Sequence, residues 1–320
     1  MKFGKRIAVC LLAAALLLSL FTGCGEGKRS DKLTIVVTIF PVYDWVKNLL
    51  GDRLAEVDLI LLEDTGADLH NFQPTPHDIY LVTTCDVFIY VGGESDKWVD
   101  DVLAQATNQD MTVLNLLDEL GSAARDEALL EGMEPEEEEE DAKDEHIWLS
   151  PKNALLLCPV LTRALQEKDP DNAETYRVAG EAYQKRLGDL DRAYDEASAG
   201  AKVRTVLFAD RFPFLYLVED YGLTAYAAFS GCSAESEASP AMIRRLAEKV
   251  DSLGLRYVFV LENGSRRTAE TVISESKAKN AQILEINSMQ SVTGSDAEDG
   301  ADYIRIMESN LSVLKKALAG

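Results

Sequence analysis

Three histidines, His70, His77 and His146, are the whole imidazole supply of this 320-residue chain. No Gly-x-Ser-x-Gly elbow, His-Glu-x-x-His helix, P-loop or dinucleotide-binding Gly-x-Gly-x-x-Gly is present, which removes the frameworks of the common hydrolases, metalloproteases and nucleotide enzymes. His70 lies in a polar segment, Thr65 to Pro76, that follows a short apolar run and precedes a helix opened by Pro76. His146 follows an acidic stretch at the same end of the same set of elements. Open parallel sheets take their ligands outside the carboxyl ends of the strands. One histidine there reads as a surface or structural residue, whereas two at one ligand edge read as a binding pair. His77, in the first turn of the following helix, reads as exposed and without a role.

The elements that must position this pair alternate in type. Leu33–Thr38, Val57–Leu62, Val87–Val91 and Thr112–Leu116 read as strands, with helical patterns at Val42–Leu50, His77–Thr84 and Asp96–Ala106. A second set follows, with strands Thr205–Ala209, Leu223–Ala228, Tyr257–Leu261 and Ile283–Ile286 and helices Phe214–Tyr221, Ala241–Ser252, Arg267–Lys277 and Ala301–Leu318. Such alternation predicts parallel βα units, here an α/β fold of two lobes, each with a mostly parallel four-stranded sheet. Phe40-Pro41 and Phe212-Pro213 each follow the first strand of a set and open a helix closed by Gly51 or Gly222, which puts the two lobes in the same phase. Between them, Tyr176, Ala179, Tyr183, Leu187, Leu190, Tyr194 and Ala197 recur every three or four residues. That stripe predicts one long helix, with Asp169 as N-cap and Pro170 as its first residue. The expected division is a first lobe at 33–169, a linking helix at 170–200 and a second lobe at 201–320.

Composition sets the compartment and excludes some partners. The chain carries 55 acidic against 32 basic residues, net −23, so it lacks the basic field that nucleic acid requires. The window 126–145 is acidic, unbroken from Glu136 to Asp141, and predicts a disordered loop that either solubilises the protein or attracts cations. At the start, Lys2, Lys5 and Arg6 precede an apolar run from Ile7 to Leu20 and then Phe21-Thr22-Gly23-Cys24. This reads as a secretory signal over 1–23. Thr-Gly before Cys24 resembles the bacterial lipobox, so Cys24 is the expected lipidation site and 24–32 a tether. The expected location is extracytoplasmic, anchored to the cell membrane by lipid. Cys85, Cys158 and Cys232 then remain, an odd number at no zinc or disulfide spacing.

The run from Gly66 through His70 to Asp78 resembles the first metal-ligand motif of zinc- and manganese-binding solute-binding lipoproteins of ABC importers, the metal-binding cluster A-I family. His146-Ile147-Trp148-Leu149-Ser150-Pro151-Lys152-Asn153 resembles the second motif, and Tyr221-Gly222-Leu223 and Asn310-Leu311 with Leu314 fit the family's C-terminal lobe. The resemblance covers nearly the whole chain from Leu33. It implies two α/β lobes joined by one rigid helix, with a divalent metal held between them for delivery to an importer permease. It also implies His70 and His146 as ligands, a monomer, and no catalysis.

The second lobe departs from the motif. The position where many relatives supply a third histidine falls on Arg211, which cannot ligate, so the adjacent Asp210 is the expected substitute. Asn287 stands where relatives place a carboxylate, and Glu235 and Glu237 are further oxygen donors. Two imidazoles with one or two oxygens suit zinc and also manganese; zinc is the expected cargo. Two rivals stand beside this reading. One is a metal-dependent hydrolase using Glu145 as base, and the other is an adhesion or scaffold lipoprotein with a structural metal.

Overall fold

Short apolar runs form the sheet of the first lobe; the central strands are almost wholly buried and the edge strands only partly, as in a parallel sheet covered by helices. The elements are β1 (Thr34–Val37), α1 (Phe40–Leu50), β2 (Asp58–Leu61), α2 (Pro76–Thr84), β3 (Val87–Tyr90), α3 (Trp98–Leu103), β4 (Thr112–Asn115) and α4 (Leu116–Leu120). The computed structural model describes residues 32–66, 69–127, 130, 131, 133, 142–231 and 238–320. The signal segment, Cys24, most of the tether, the acidic run 134–141, Cys232, Glu235 and Glu237 lie outside these residues.

Two helices follow, α5 (Pro151–Lys168) and α6 (Ala173–Ala199). The second lobe then repeats the pattern with β5 (Thr205–Phe212), α7 (Leu215–Asp220), β6 (Thr224–Ser230), α8 (Pro240–Leu253), β7 (Tyr257–Leu261), α9 (Arg267–Glu275), β8 (Gln282–Ile286), α10 (Gly294–Glu298) and α11 (Tyr303–Leu318). The sheet orders are β2-β1-β3-β4 and β6-β5-β7-β8, all pairs parallel. The two sheets therefore share one topology. In each, the chain reverses its direction of spread beside the first strand, which opens a crevice at the carboxyl ends.

The linking helix buries the tyrosine stripe, with Tyr176, Tyr183, Leu187, Leu190 and Tyr194 all inaccessible. It packs on α5 and α1 from one side and α11 from the other, so both lobes share it. At about 1.5 Å per residue its 27 residues span about 40 Å. Gly180 is where α5 crosses closest, since a Cβ there would sit 2.7 Å from Thr162 Oγ1. Arg186 on α6 reaches Asn48 on α1 (3.1 Å) and Asp302 at the start of α11 (3.4 Å), and Tyr194 donates its hydroxyl to Met307 O (2.7 Å).

Two local expectations fail for identifiable reasons. Residues 151–168 carried no sequence-based element, yet they form α5 with Pro159 inside it. Burial of Leu157, Cys158, Leu161 and Leu165 holds the helix despite the lost backbone donor. Asp169 and Pro170 do not start the linking helix. Pro170–Asn172 make a 3-10 turn, and the Asp169 carboxylate instead accepts from Tyr176 Oη (2.6 Å) and Asn172 Nδ2. Cys85 and Cys158 are buried and not joined in a disulfide, small apolar fillers rather than a bridge.

Candidate metal centre

The residues around the proposed pair come from the carboxyl ends of strands in both lobes. His70 follows β2 and Ser95 follows β3, while Asp210 lies two residues before the end of β5, at a break in its pairing with β6, Glu262 follows β7 and Gln290 follows β8. His146 enters on the segment that leads into α5, whose N-cap is Ser150, accepting from Asn153 N (3.0 Å). Proline at the first position of α5 and serine before it form a strong local start signal, which fixes the exit of the His146 segment.

The structure brings His70 and His146 together with their Nε2 atoms 3.4 Å apart. His70 Nδ1 faces Ser95 Oγ (2.7 Å). His146 Nδ1 faces Asp144 Oδ1 (3.0 Å), and the same oxygen accepts His146 N (2.8 Å). An ionised carboxylate only accepts, so His146 carries its proton on Nδ1 and bares Nε2 toward His70. This is the orientation of a ligating imidazole, with the far nitrogen tied to an outer partner. Two nitrogens at about 2.0–2.1 Å from a tetrahedral zinc ion stand about 3.3–3.4 Å apart, so the pair is spaced as such a chord. His77 is exposed on α2, as expected.

The surroundings of the two rings differ. His146 is 0% exposed. Gly231, after β6, packs on it so closely that a Cβ would lie 2.8 Å from Cε1. Trp148, two residues on, donates Nε1 to Ser288 O (2.8 Å) and accepts Tyr303 Oη on its carbonyl (2.7 Å). Tyr216 Oη accepts Arg125 N (3.0 Å) and donates to Asp144 O (2.9 Å). Ser150 and Arg125 both bond Asp220. His146 is thus a first-lobe residue seated by second-lobe groups. His70 sits in a one-turn 3-10 segment, Leu69–Asn71, and its side chain is 14% exposed.

Among the described residues, no group of three or more His, Cys, Asp or Glu side chains is arranged to hold an ion. The side chain that does reach the pair from the second lobe is Gln290, whose Nε2 is 3.2 Å from His146 Nε2. Sequence reasoning took Asp210 as the second-lobe donor, with Asn287, Glu235 and Glu237 as alternatives, and did not name Gln290. Asn287 is occupied elsewhere, its Oδ1 accepting Met289 N (2.7 Å). The loop that presents Gln290 is held by Glu262, whose carboxylate accepts Ser288 N and Ser288 Oγ, both at 2.7 Å. Asp210 shares a cavity of about 210 Å³ with Gln290, Glu262 and Gly66. Its Oδ1 accepts Arg211 N (2.9 Å) and its Oδ2 accepts Leu261 N (3.1 Å), so it joins the ends of β5 and β7.

Burial dominates the electrostatics. It raises the Glu145 and Glu262 carboxyls, opposed by hydrogen bonds from Ser95 and Ser288 respectively. Burial also drives Asp96 up to about 7, against a hydrogen bond from Gly92 N. Burial pulls His146 down, but the charge and hydrogen bond of Asp144, with Glu145 and Glu127, outweigh it and leave the imidazole above its ordinary value. In the sequence Asp144 was legible only as part of an acidic run, and Glu145 also as the base of the rival hydrolase reading; their spacing before His146 was the available signal for the roles seen here.

Comparison with known proteins bears on what this arrangement serves. The S. pneumoniae (strain ATCC BAA-255 / R6) zinc-binding lipoprotein AdcA is 32% identical over 317 residues, 96% of this chain, which spans 60% of that protein's length. The high-affinity zinc uptake system protein ZnuA of Bacillus subtilis (strain 168) is 29% identical over 320 residues, 98% of this chain and 96% of its own. The crystal structure of the Zn(II)-bound ZnuA-like domain of S. pneumoniae AdcA superposes with TM-score 0.72 at 30% identity, covering 90% of this chain and all of that domain. The metal-dependent lipoprotein YcdH of Bacillus subtilis gives TM-score 0.73 at 26% identity, with 90% and 100% covered. Residues 35–317 match the family described as "Zinc-uptake complex component A periplasmic", and this chain belongs to that family.

Proposed function

We propose that this chain binds zinc outside the cytoplasmic membrane and delivers it to the permease of an ABC importer, without catalysing a reaction. The observation that carries the reading is the His70–His146 pair, Nε2 facing Nε2 at 3.4 Å, at the mouth of two sheets that share one topology. Both imidazoles have their other nitrogen engaged, as ligands do. The zinc-binding names of the relatives support the cargo. Imidazole-rich donor sets favour zinc over manganese, which prefers harder oxygen ligands.

Gln290 supplies the second-lobe donor in this reading. Turning its carboxamide over would aim Oε1 at the ion and Nε2 at Ser288 Oγ. That oxygen can accept it, because the Ser288 hydroxyl proton already goes to Glu262. Asp210 accepts one backbone N–H on each oxygen, and we assign it to holding β5 and β7 together. Glu235 and Glu237 remain candidates outside the described residues. Cys24 is the assigned lipid anchor, in keeping with relatives named as lipoproteins; no helix of the described residues is long and apolar enough to cross a membrane. The chain is taken to work as a monomer.

The test is metal analysis of the purified chain, with Zn²⁺/Mn²⁺ competition on wild type, His70→Ala, His146→Ala and Asp210→Ala. One zinc per chain, displaced poorly by manganese and lost in both histidine variants, is the expected result. Wild-type binding in both histidine variants would overturn the site, and stronger manganese binding would overturn the cargo. Loss of zinc in Asp210→Ala with an unchanged fold would restore Asp210 as a ligand.

A further inference from the structure

Glu145 is 1% exposed and ends the acidic stretch beside His146, yet it turns away from that ring toward His70. Its seat is specially shaped. Oε1 accepts Ser95 N (2.8 Å). Gly92 and Gly93 both turn through positive φ, 92° and 87°; Gly93 backs the carboxylate, where a Cβ would lie 2.5 Å from Oε1, and Gly92 packs against the Asn115 side chain. Asp96 fixes the turn by accepting Gly92 N (2.9 Å). Within that seat Oε2 has no hydrogen-bond partner, although it stands 3.7 Å from His70 Nδ1.

A carboxylate that merely tied the turn to the His146 segment would need one oxygen. Burying the second without a partner is unfavourable, so what it faces is informative. His70 Nδ1 lies between two acceptors, bonded to Ser95 Oγ at 2.7 Å and within a small ring movement of Glu145 Oε2. Building on the zinc reading above, we infer that Glu145 is a positioning residue for His70. When zinc takes Nε2, the Nδ1–H turns from the Ser95 hydroxyl to the Glu145 carboxylate, which orients the ring and makes it a stronger donor.

The arrangement also accounts for charge. Two imidazoles and a carboxamide bring no negative charge to a divalent ion. Asp144 behind His146 and Glu145 behind His70 supply two carboxylates one bond network further out. The ion is then held by neutral donors and balanced from the outer layer.

The experiment is a double-substitution cycle on the full chain purified in mild detergent, with zinc affinity read by competition against a chromogenic chelator. Glu145→Gln keeps the shape and an acceptor for Ser95 N but removes the carboxylate. It is expected to weaken zinc binding about 10- to 100-fold in the wild-type background, to leave the melting temperature of the metal-free protein unchanged, and to have no further effect in a His70→Ala background. Ser95→Ala is expected to weaken binding less than Glu145→Gln does. Unchanged affinity in Glu145→Gln, an equal loss in the His70→Ala background, or a larger loss in Ser95→Ala would overturn the inference while leaving the zinc reading intact. A wild-type chain that takes up no zinc would overturn both.

Discussion

His70 and His146 are offered to one another as equals, but the protein holds them by different means. His146 is enclosed. A single Asp144 oxygen takes both its ring Nδ1 and its backbone N, and the residues after it are bonded to Ser288, Tyr303 and Asp220 of the second lobe. His70 rides a single 3-10 turn, and the two side chains that face its Nδ1, Ser95 and Glu145, belong to its own lobe. The contrast teaches that one half of the site is part of the lobe junction and the other half is hung from it. Order at His146 is a consequence of folding; His70 is held on a single turn, with Ser95 and Glu145 facing its Nδ1.

This contrast breaks down if the two histidines respond alike to removal. Both alanine variants are expected to weaken zinc binding by about a hundredfold or more, roughly 2.7 kcal/mol or greater, in chelator competition. Only His146→Ala is also expected to destabilise the metal-free protein, by about 2–4 kcal/mol in urea unfolding, because the buried Asp144 carboxylate loses the ring Nδ1 and keeps only the backbone N–H, and the fully buried ring leaves a cavity. His70→Ala should stay within about 1 kcal/mol of wild type. Equal destabilisation would mean that the His70 turn is as much a part of the junction.

The second-lobe donor sharpens the comparison. Gln290→Glu replaces a neutral donor by a carboxylate beside the same Nε2 atoms and is expected to tighten zinc binding about tenfold, while Gln290→Ala weakens it by a similar factor; titration calorimetry would separate the two. No change in either variant would leave the site complete without the second lobe. Smaller again is Tyr216→Phe, which removes the hydroxyl joining Arg125 N to Asp144 O. The expected loss is about 1–2 kcal/mol of stability, and a loss of zinc affinity that follows it would show the enclosure acting on His146.

The smallest effect is on pH. His146 in the metal-free protein holds its proton more tightly than an ordinary imidazole. That contribution to stability is full below the unfolded value near 6.5 and is lost as pH rises through the raised folded value. Zinc takes Nε2, the nitrogen that the second, titrating proton would occupy, while the Nδ1 proton stays on Asp144, so stabilisation by zinc grows as pH rises through this window. Unfolding at pH 6 and 8 should show opposite slopes without and with zinc, of about 1 kcal/mol, and Asp144→Asn should flatten the metal-free slope.

Much of the fold was legible because local patterns and tertiary packing agree. All eight strands fall within a few residues of their expected positions, since apolar runs of four to eight residues between turn signals have few other uses. The resemblance of the two histidine motifs to metal-binding lipoproteins agrees with the family that the chain matches. Helix α5 was not legible, because Pro159 argues locally against a helix that only burial sustains. The second lobe was the weaker part of the site reading. Asp210 and Asn287 are oxygen donors at plausible positions that also accept backbone N–H groups, from Leu261 and Met289, and nothing in their neighbours along the chain reports those contacts.

The sequence by itself determined the two-lobed parallel architecture, the linking helix and the two histidines at one ligand edge. Periodicity, strand-end position and residue scarcity are properties of the chain. Only the tertiary structure decided which oxygen and nitrogen atoms still had a free face. Asp144 and Glu145 are adjacent and chemically alike, yet one backs His146 and the other turns to His70, because the Gly92–Gly93 turn and the Ser95 amide build a seat for the second. Gln290 was an ordinary polar residue until Glu262 folded its loop over His146. Those outcomes depend on hydrogen bonds between residues 26 to 144 positions apart, a kind of pairing that no local pattern encodes.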